Sequence, residues 1–212
     1  MNPLSKKITS VSQQIGSAKL LVVTKNRSAE EIQEVILTGA RYIGENKIQE
    51  ILGKYNQSLF DELKKYEVEL HFIGHLQSNK VNQAVRLCDA IQSVDSMELA
   101  EKINDAAKKE NKIIKIFLQM NLTGEQQKFG IKEEQMPEII EGINQLENIK
   151  LTGLMCMGKF GDEKITREAF RKCKNLAEKF HLPEVSMGMS DDYQIALEEG
   201  STMVRLGSII FE

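Results

Sequence analysis

Cysteine is scarce in this chain: three in 212 residues, at Cys88, Cys156 and Cys173. An odd number with no C-x-x-C pair does not make a disulfide framework. Reduced thiols in the cytoplasm fit it better. Long apolar runs are missing as well. No stretch approaches the ~20 residues that cross a bilayer, and the polar residues 1–10 lack the apolar centre of a signal peptide. The chain reads as a soluble cytoplasmic protein with no membrane role. Nor is there an excess of positive charge: the net charge is −3. Lys64-Lys65 and Lys108-Lys109 sit among acidic neighbours on helix-like segments, as solvated faces do, and make no clustered footprint for nucleic acid. Proline occurs three times, and no Pro/Gly/Ser-rich linker or low-complexity tract divides the chain. Residues 1–212 therefore read as a single domain.

What the sequence does contain is alternation. At 41% hydrophobic and 28% charged residues it has the balance of a globular protein. Short apolar or β-branched runs recur at 20–24, 42–45, 70–74, 90–94, 113–120, 150–155, 184–186 and 202–206. Helical periodicity follows most of them. Ser28 with Glu31 makes a capping box ahead of a stripe of Ile32, Val35, Ile36 and Ala40. A long helix is expected over about 47–66, and another starts near Asp95-Ser96 with Leu99, Ile103 and Ala106. Pro137 sits in the first turn of a helix carrying Met136, Ile139, Ile140 and Ile143. Ala169, Phe170, Cys173, Leu176 and Phe180 stripe the next helix, and a last one from about Asp191 stops at Gly200. Eight strands alternating with helices predict a single (β/α)8 TIM barrel. An open doubly wound sheet is the alternative.

Barrels place their chemistry at the C-terminal ends of the strands. The first strand ends in Thr24-Lys25, where partial desolvation would favour the neutral, nucleophilic amine that a Schiff-base lysine needs. A lysine at a strand end is also an ordinary surface residue. Ser186-Met187-Gly188-Met189-Ser190 joins the seventh strand to a helix. Gly188 lets backbone approach a ligand there, and the helix N-terminus offers free N–H groups. Arg205, followed by Gly207-Ser208, ends the eighth strand. Loops after strands seven and eight are the usual phosphate site of barrels, although Ser190 reads equally as an N-cap and Gly207 as a turn. An inward Arg205 keeps its charge and must find an anion or an acceptor. Were the ligand pyridoxal 5′-phosphate (PLP), it could meet the pyridine nitrogen and leave it unprotonated, a poor electron sink. A buried ion pair with an acidic residue is the other reading. Gly44-Glu45-Asn46 could bring Asn46 over the same mouth. His71 and His75 lie on strand and turn, without the helix and third ligand a metal site requires, so no metal is expected. Gln119-Met120-Asn121 and Lys128-Phe129-Gly130 shape the rim, and Met155, Met157, Met187 and Met189 read as core filler.

Taken together and in order, Thr24-Lys25, Gly44-Glu45-Asn46, residues 71–80, Gly153-Leu154-Met155, residues 186–190 and Arg205-Leu206-Gly207 resemble the YggS/PROSC family of pyridoxal phosphate homeostasis proteins. The resemblance runs over nearly the whole chain and is most specific over residues 185–211. It implies a monomeric or weakly associating barrel like the N-terminal domain of alanine racemase, of the fold-type III PLP-dependent enzymes. It implies PLP on Lys25, phosphate contacts from Ser190, Gly207 and Ser208 with Gly188 in the same loop, Arg205 at the pyridine nitrogen, and Asn46 beside the cofactor. Thr24 stands where serine is common and Leu70 where tryptophan is common. Neither touches the implied chemistry.

The family implies buffering or delivery of PLP, with PLP-dependent apoenzymes as candidate recipients, and no defined reaction. A racemase-like PLP enzyme is the alternative. Racemisation needs acid/base groups on both faces of the substrate, and only a few residues follow Gly207, leaving a partner subunit, or Tyr193 or His75 locally, as substitutes. A barrel binding some other phosphorylated metabolite, with Lys25 as a point charge, is a third reading.

Overall fold

In the computed structural model, which describes residues 3–125 and 129–212, eight parallel strands close in chain order. They are β1 (Lys19–Val23), β2 (Tyr42–Glu45), β3 (Glu69–Phe72), β4 (Ala90–Val94), β5 (Ile114–Gln119), β6 (Ile149–Met155), β7 (Glu184–Ser186) and β8 (Met203–Leu206). β8 returns to β1 with Leu21 opposite Arg205. The closed barrel is the expected one, and every strand lies within two residues of its expected span. The open sheet is ruled out. No helix among the described residues is long and apolar enough to cross a membrane.

The helices are α1 (Pro3–Gln14), α2 (Ala29–Leu37), α3 (Ile48–Lys54), α4 (Gln57–Lys65), α5 (Val81–Leu87), α6 (Met97–Lys109), α7 (Met136–Ile143), α8 (Glu163–Lys179), α9 (Tyr193–Glu198) and α10 (Ser208–Phe211). The capping box at Ser28 and Glu31 forms as expected. The single helix expected over 47–66 is in fact two. Tyr55 leaves the helix with ψ 98°, and Asn56 restarts it by accepting from the Leu59 N–H at 2.9 Å. Asparagine is a strong N-cap and a weak helix interior, so the break falls there. α9 also starts later than expected. Asp192 occupies its cap position, so Ser190 is not the N-cap.

α1 was not foreseen, because its composition is polar. Its role follows from α10, which has only four residues where the helix after the eighth strand should cover the barrel wall. α1 packs against both α10 and α2 and fills that place, burying Ile8 and Val11.

Most of the core lies between the strands and the helices. The barrel interior is different. Its apolar filling is a small separate cluster of Leu21, Val23 and Met203, with Tyr42 and Ile73 against it. Polar side chains share the interior with it: His71, Gln92, Ser186 and Arg205 are all buried, with the Phe117 ring 6.4 Å from His71. At the N-terminal end Lys19 pairs with Glu184 at 2.6 Å and Lys115 with Glu69 at 2.7 Å. His71 and Lys115 hold the Glu69 carboxyl down at about 2, against the opposing effect of burial.

Two predictions follow from this arrangement. Ile8→Ala should cost about 2–4 kcal/mol in denaturant unfolding, while exposed Ser12→Ala stays within about 0.5 kcal/mol. Equal effects would mean that α1 does not seal the wall. Because the Glu69 value is depressed on folding, its contribution is full above the ordinary 4.5 and is lost as pH falls towards about 2. Glu69→Gln should flatten the acid limb of stability against pH. An unchanged limb would remove Glu69 from the acid response.

Candidate functional site

Strand parity decides which residues can meet at the mouth. Leu21 and Val23 face into the barrel, so Lys25 follows on the inward parity, two residues beyond. Val23 pairs with Gly44, and Tyr42 packs inward, so Asn46 follows on the same side of β2. Met203 faces in, and so does Arg205. Gly207 lies beside Val23, where an added Cβ would meet the Val23 carbonyl at 3.2 Å. The Arg205 N–H bonds the Gly188 carbonyl at 2.9 Å, which ties the β7–α9 loop to β8. The expected residues thus converge on the C-terminal end of the barrel.

Lys25 differs from expectation in one respect. It is exposed, in a turn closed by the Arg27 N–H on the Thr24 carbonyl at 3.0 Å, with Asn26 left-handed at φ 60°. The burial expected around its amine is therefore not present in the protein alone.

The turn carrying Lys25 is gripped from behind by side chains that sequence reasoning had not assigned a role. Thr24 Oγ1 donates to Glu45 Oε1 at 2.6 Å, and Tyr55 donates to the same oxygen at 3.2 Å. Lys54 Nζ reaches Glu45 Oε1 at 2.9 Å and the Thr24 carbonyl at 2.8 Å. Glu50 Oε2 accepts from the Asn26 N–H at 2.9 Å. Both neighbours of Lys25 are held, while the Lys25 side chain is exposed and has no partner among the described residues. Burial pushes the Glu45 carboxyl up from its ordinary value, and the bonds from Thr24 and Lys54 oppose that shift. One signal was available: a glutamate on the outward parity of a short strand is almost never buried unless paired.

After β7, beyond the neighbouring β8, Gly188 has φ 95°, and a Cβ there would meet Ala196 Cβ at 2.6 Å. The loop after it is set by Asp192, whose Oδ1 accepts from the Met189 N–H at 2.6 Å. Ser190 is half-buried in that loop and Ser208 is exposed at the start of α10. Arg205 is buried and gives Nη1 to the Ser186 carbonyl at 2.6 Å and to Ser186 Oγ at 2.8 Å, and Nη2 to the Cys156 carbonyl at 3.0 Å. The ion pair left open from the sequence is not among the contacts of the described residues. Asn46 Oδ1 is buried and has no hydrogen-bond partner among them.

Other expected residues fall elsewhere. His71 is buried in the barrel, while His75 stacks on Phe129 at 3.8 Å on the rim. Gln119 donates to the Phe129 carbonyl at 3.0 Å, so these residues do shape the rim, and Lys128 lies outside the described residues. Tyr193 directs its hydroxyl to Gln14 of α1 at 3.2 Å and not to the mouth. Met155 and Met187 fill core, but Met189 is 41% exposed.

A lysine free to move, an acceptor without a partner and a buried arginine at one barrel mouth suit a phosphorylated carbonyl ligand. Residues 2–212 match the family model described as alanine racemase, N-terminal domain. A pyridoxal phosphate homeostasis protein from Aquifex aeolicus is 37% identical over 201 residues, covering 92% of this chain and 86% of the relative. The chain belongs to the pyridoxal phosphate homeostasis family. PipY of Synechococcus elongatus superposes with a TM-score of 0.89 without PLP and 0.86 with PLP bound, at 31% and 30% identity. Each covers 99% of this chain and 100% of the PipY chain. Alanine racemase from Corynebacterium glutamicum shares the fold at a TM-score of 0.73 and 17% identity, over 98% of this chain and 59% of its own.

For this member of the homeostasis family, Lys54→Met should cost about 3 kcal/mol, because it leaves the Glu45 carboxylate buried without its cation. Adding Glu45→Gln should recover part of the loss in a double-mutant cycle. Strict additivity would mean that the two do not act as a pair.

Proposed function

We propose that the protein holds PLP as a Schiff base on Lys25 and takes part in intracellular PLP homeostasis, buffering or delivering the cofactor without a turnover of its own. The observation that carries this reading is Asn46 Oδ1. A buried acceptor left unpaired costs about 1–3 kcal/mol, and it stands at the mouth on the same inward parity as the Lys25-bearing turn. A donor on a bound ligand, such as the ring hydroxyl of PLP, would satisfy it. Membership of the homeostasis family and the PLP-bound PipY structure support the choice of ligand.

The remaining roles are those that the family resemblance implies. Lys25 Nζ takes the place of the aldehyde oxygen, and one water leaves. Gly188, Ser190, Gly207 and Ser208 receive the phosphate on backbone N–H and hydroxyl donors. Arg205 meets the pyridine nitrogen. When bound, PLP supplies an electrophilic imine, and an arginine at the ring nitrogen keeps that ring a weak electron sink. Racemisation would need a second acid/base group across the substrate. Tyr193 is committed to Gln14, which favours a carrier. We place the protein in the cytoplasm as a monomer, with PLP-dependent apoenzymes as recipients.

The test is a visible spectrum of the purified protein with PLP, then borohydride reduction and peptide mass mapping. A yellow protein with a pyridoxyl adduct on the Lys25 peptide, both lost in Lys25→Ala, is the expected result. Adducts scattered over surface lysines would overturn the assignment. Racemase turnover that vanishes in Lys25→Ala would overturn the carrier reading.

A further inference from the structure

From the mouth to the opposite end, the barrel interior carries an unbroken row of polar side chains. Arg205 Nη1 donates to Ser186 Oγ at 2.8 Å. Ser186 donates to Gln92 Oε1 at 2.6 Å. Gln92 Nε2 faces His71 Nδ1 at 2.8 Å and Met203 Sδ at 3.2 Å. His71 Nε2 lies 3.4 Å from Glu69 Oε2, and Glu69 Oε1 accepts from Lys115 at 2.7 Å. Ser186, Gln92 and His71 are at most 2% exposed.

The direction of donation is set from the top. A guanidinium has donors only, so Ser186 Oγ accepts from Arg205 and its own hydrogen goes to Gln92. That fixes the Gln92 carbonyl towards Ser186 and its NH2 towards His71. His71 Nδ1 then accepts, and Nε2 carries the hydrogen towards Glu69. Turning the Gln92 amide over would oppose its oxygen to the Nδ1 lone pair and force both the histidine tautomer and the serine hydroxyl to change. Among the described residues, the groups around His71 offer it no other hydrogen-bond partner. Glu69 approaches from β3, the Tyr42 ring packs edge-on at 5.6 Å from β2, the Phe117 ring lies at 6.4 Å from β5, and Lys115 reaches it only through Glu69.

We propose that Gln92 and His71 are positioning residues for Arg205, holding the guanidinium through Ser186 in the orientation that meets the ring nitrogen of the bound cofactor. The inference rests on the PLP reading above. Two of the three Arg205 bonds go to backbone carbonyls and survive loss of Gln92, so the expected effect is a change of orientation and not loss of the arginine.

The test titrates PLP into wild type, Gln92→Leu and Gln92→Glu, following affinity, the pH midpoint of the bound chromophore and the melting temperature. Gln92→Leu should weaken PLP about tenfold and move the pH midpoint, because a displaced Arg205 leaves the ring nitrogen open to a proton. Gln92→Glu keeps one oxygen for Ser186, and its second oxygen draws a proton onto His71 Nδ1, so that a doubly protonated His71 donates to this carboxylate and to Glu69 and the wild-type midpoint should be retained. If Gln92→Leu does not fold, Ser186→Ala carries the test with the same expected shift. A lowered melting temperature with an unmoved midpoint, or equal shifts in both Gln92 variants, would overturn the inference while leaving PLP on Lys25 intact. A wild-type protein with no Lys25 adduct would remove the PLP reading, and this inference with it.

Discussion

Arg205 brings a charge that it cannot shed into a space with almost no water, and the donors on it govern what its neighbours must be. A buried guanidinium is tolerated only where acceptors surround it. Two carbonyls at the ends of β6 and β7 and one hydroxyl meet that need. The hydroxyl then requires an acceptor, which Gln92 supplies. Gln92 requires an acceptor for its amide hydrogens, which His71 supplies, and the sequence of demands ends at the Glu69–Lys115 pair. Barrels of this kind are normally filled by layers of branched apolar side chains. Here an apolar cluster around Leu21, Val23 and Met203 shares the interior with Phe117 and with the polar row that ends on the arginine.

The adjoining strands β1 and β2 are built on the opposite logic. Lys25 is left loose, and everything around it is held. Glu45, buried behind β2, gathers Thr24, Tyr55 and Lys54 on one oxygen, while Glu50 takes the Asn26 N–H. Under the proposed function, a lysine that forms and releases a covalent bond benefits from a fixed backbone and an exposed amine. The helix break at Tyr55 and Asn56 serves the same end, since it lets the Tyr55 hydroxyl turn in to Glu45.

Much of the fold was legible because alternation of short apolar runs with helical stripes reports a two-layer α/β structure directly. What was not legible has physical reasons. α1 is polar on most of its surface and earns its place only through α10 being one turn long, a fact of three-dimensional coverage. α5 is seven residues, too short for a periodicity to stand out. The break after Lys54 depended on whether Asn56 would act as a cap or be carried along in a helix. The site was legible as a set of strand-end residues. Its supports were not, since Glu45, Lys54, Gln92 and His71 bond across elements far apart in the chain.

Local order along the chain sufficed to determine matters of period and parity: the eight strands and the inward sense of Lys25, Asn46 and Arg205. These depend on each residue's nearest neighbours and on a two-residue repeat, which a sequence carries by itself. Only closure of the barrel decided that Lys25 stands exposed, that Tyr193 turns to Gln14 and that, among the described residues, Asn46 Oδ1 has no partner and Arg205 rests on carbonyls and not on a carboxylate. Hydrogen bonds are directional and reach about 3 Å, so they are settled by which strands come side by side, and that is a property of the closed barrel alone.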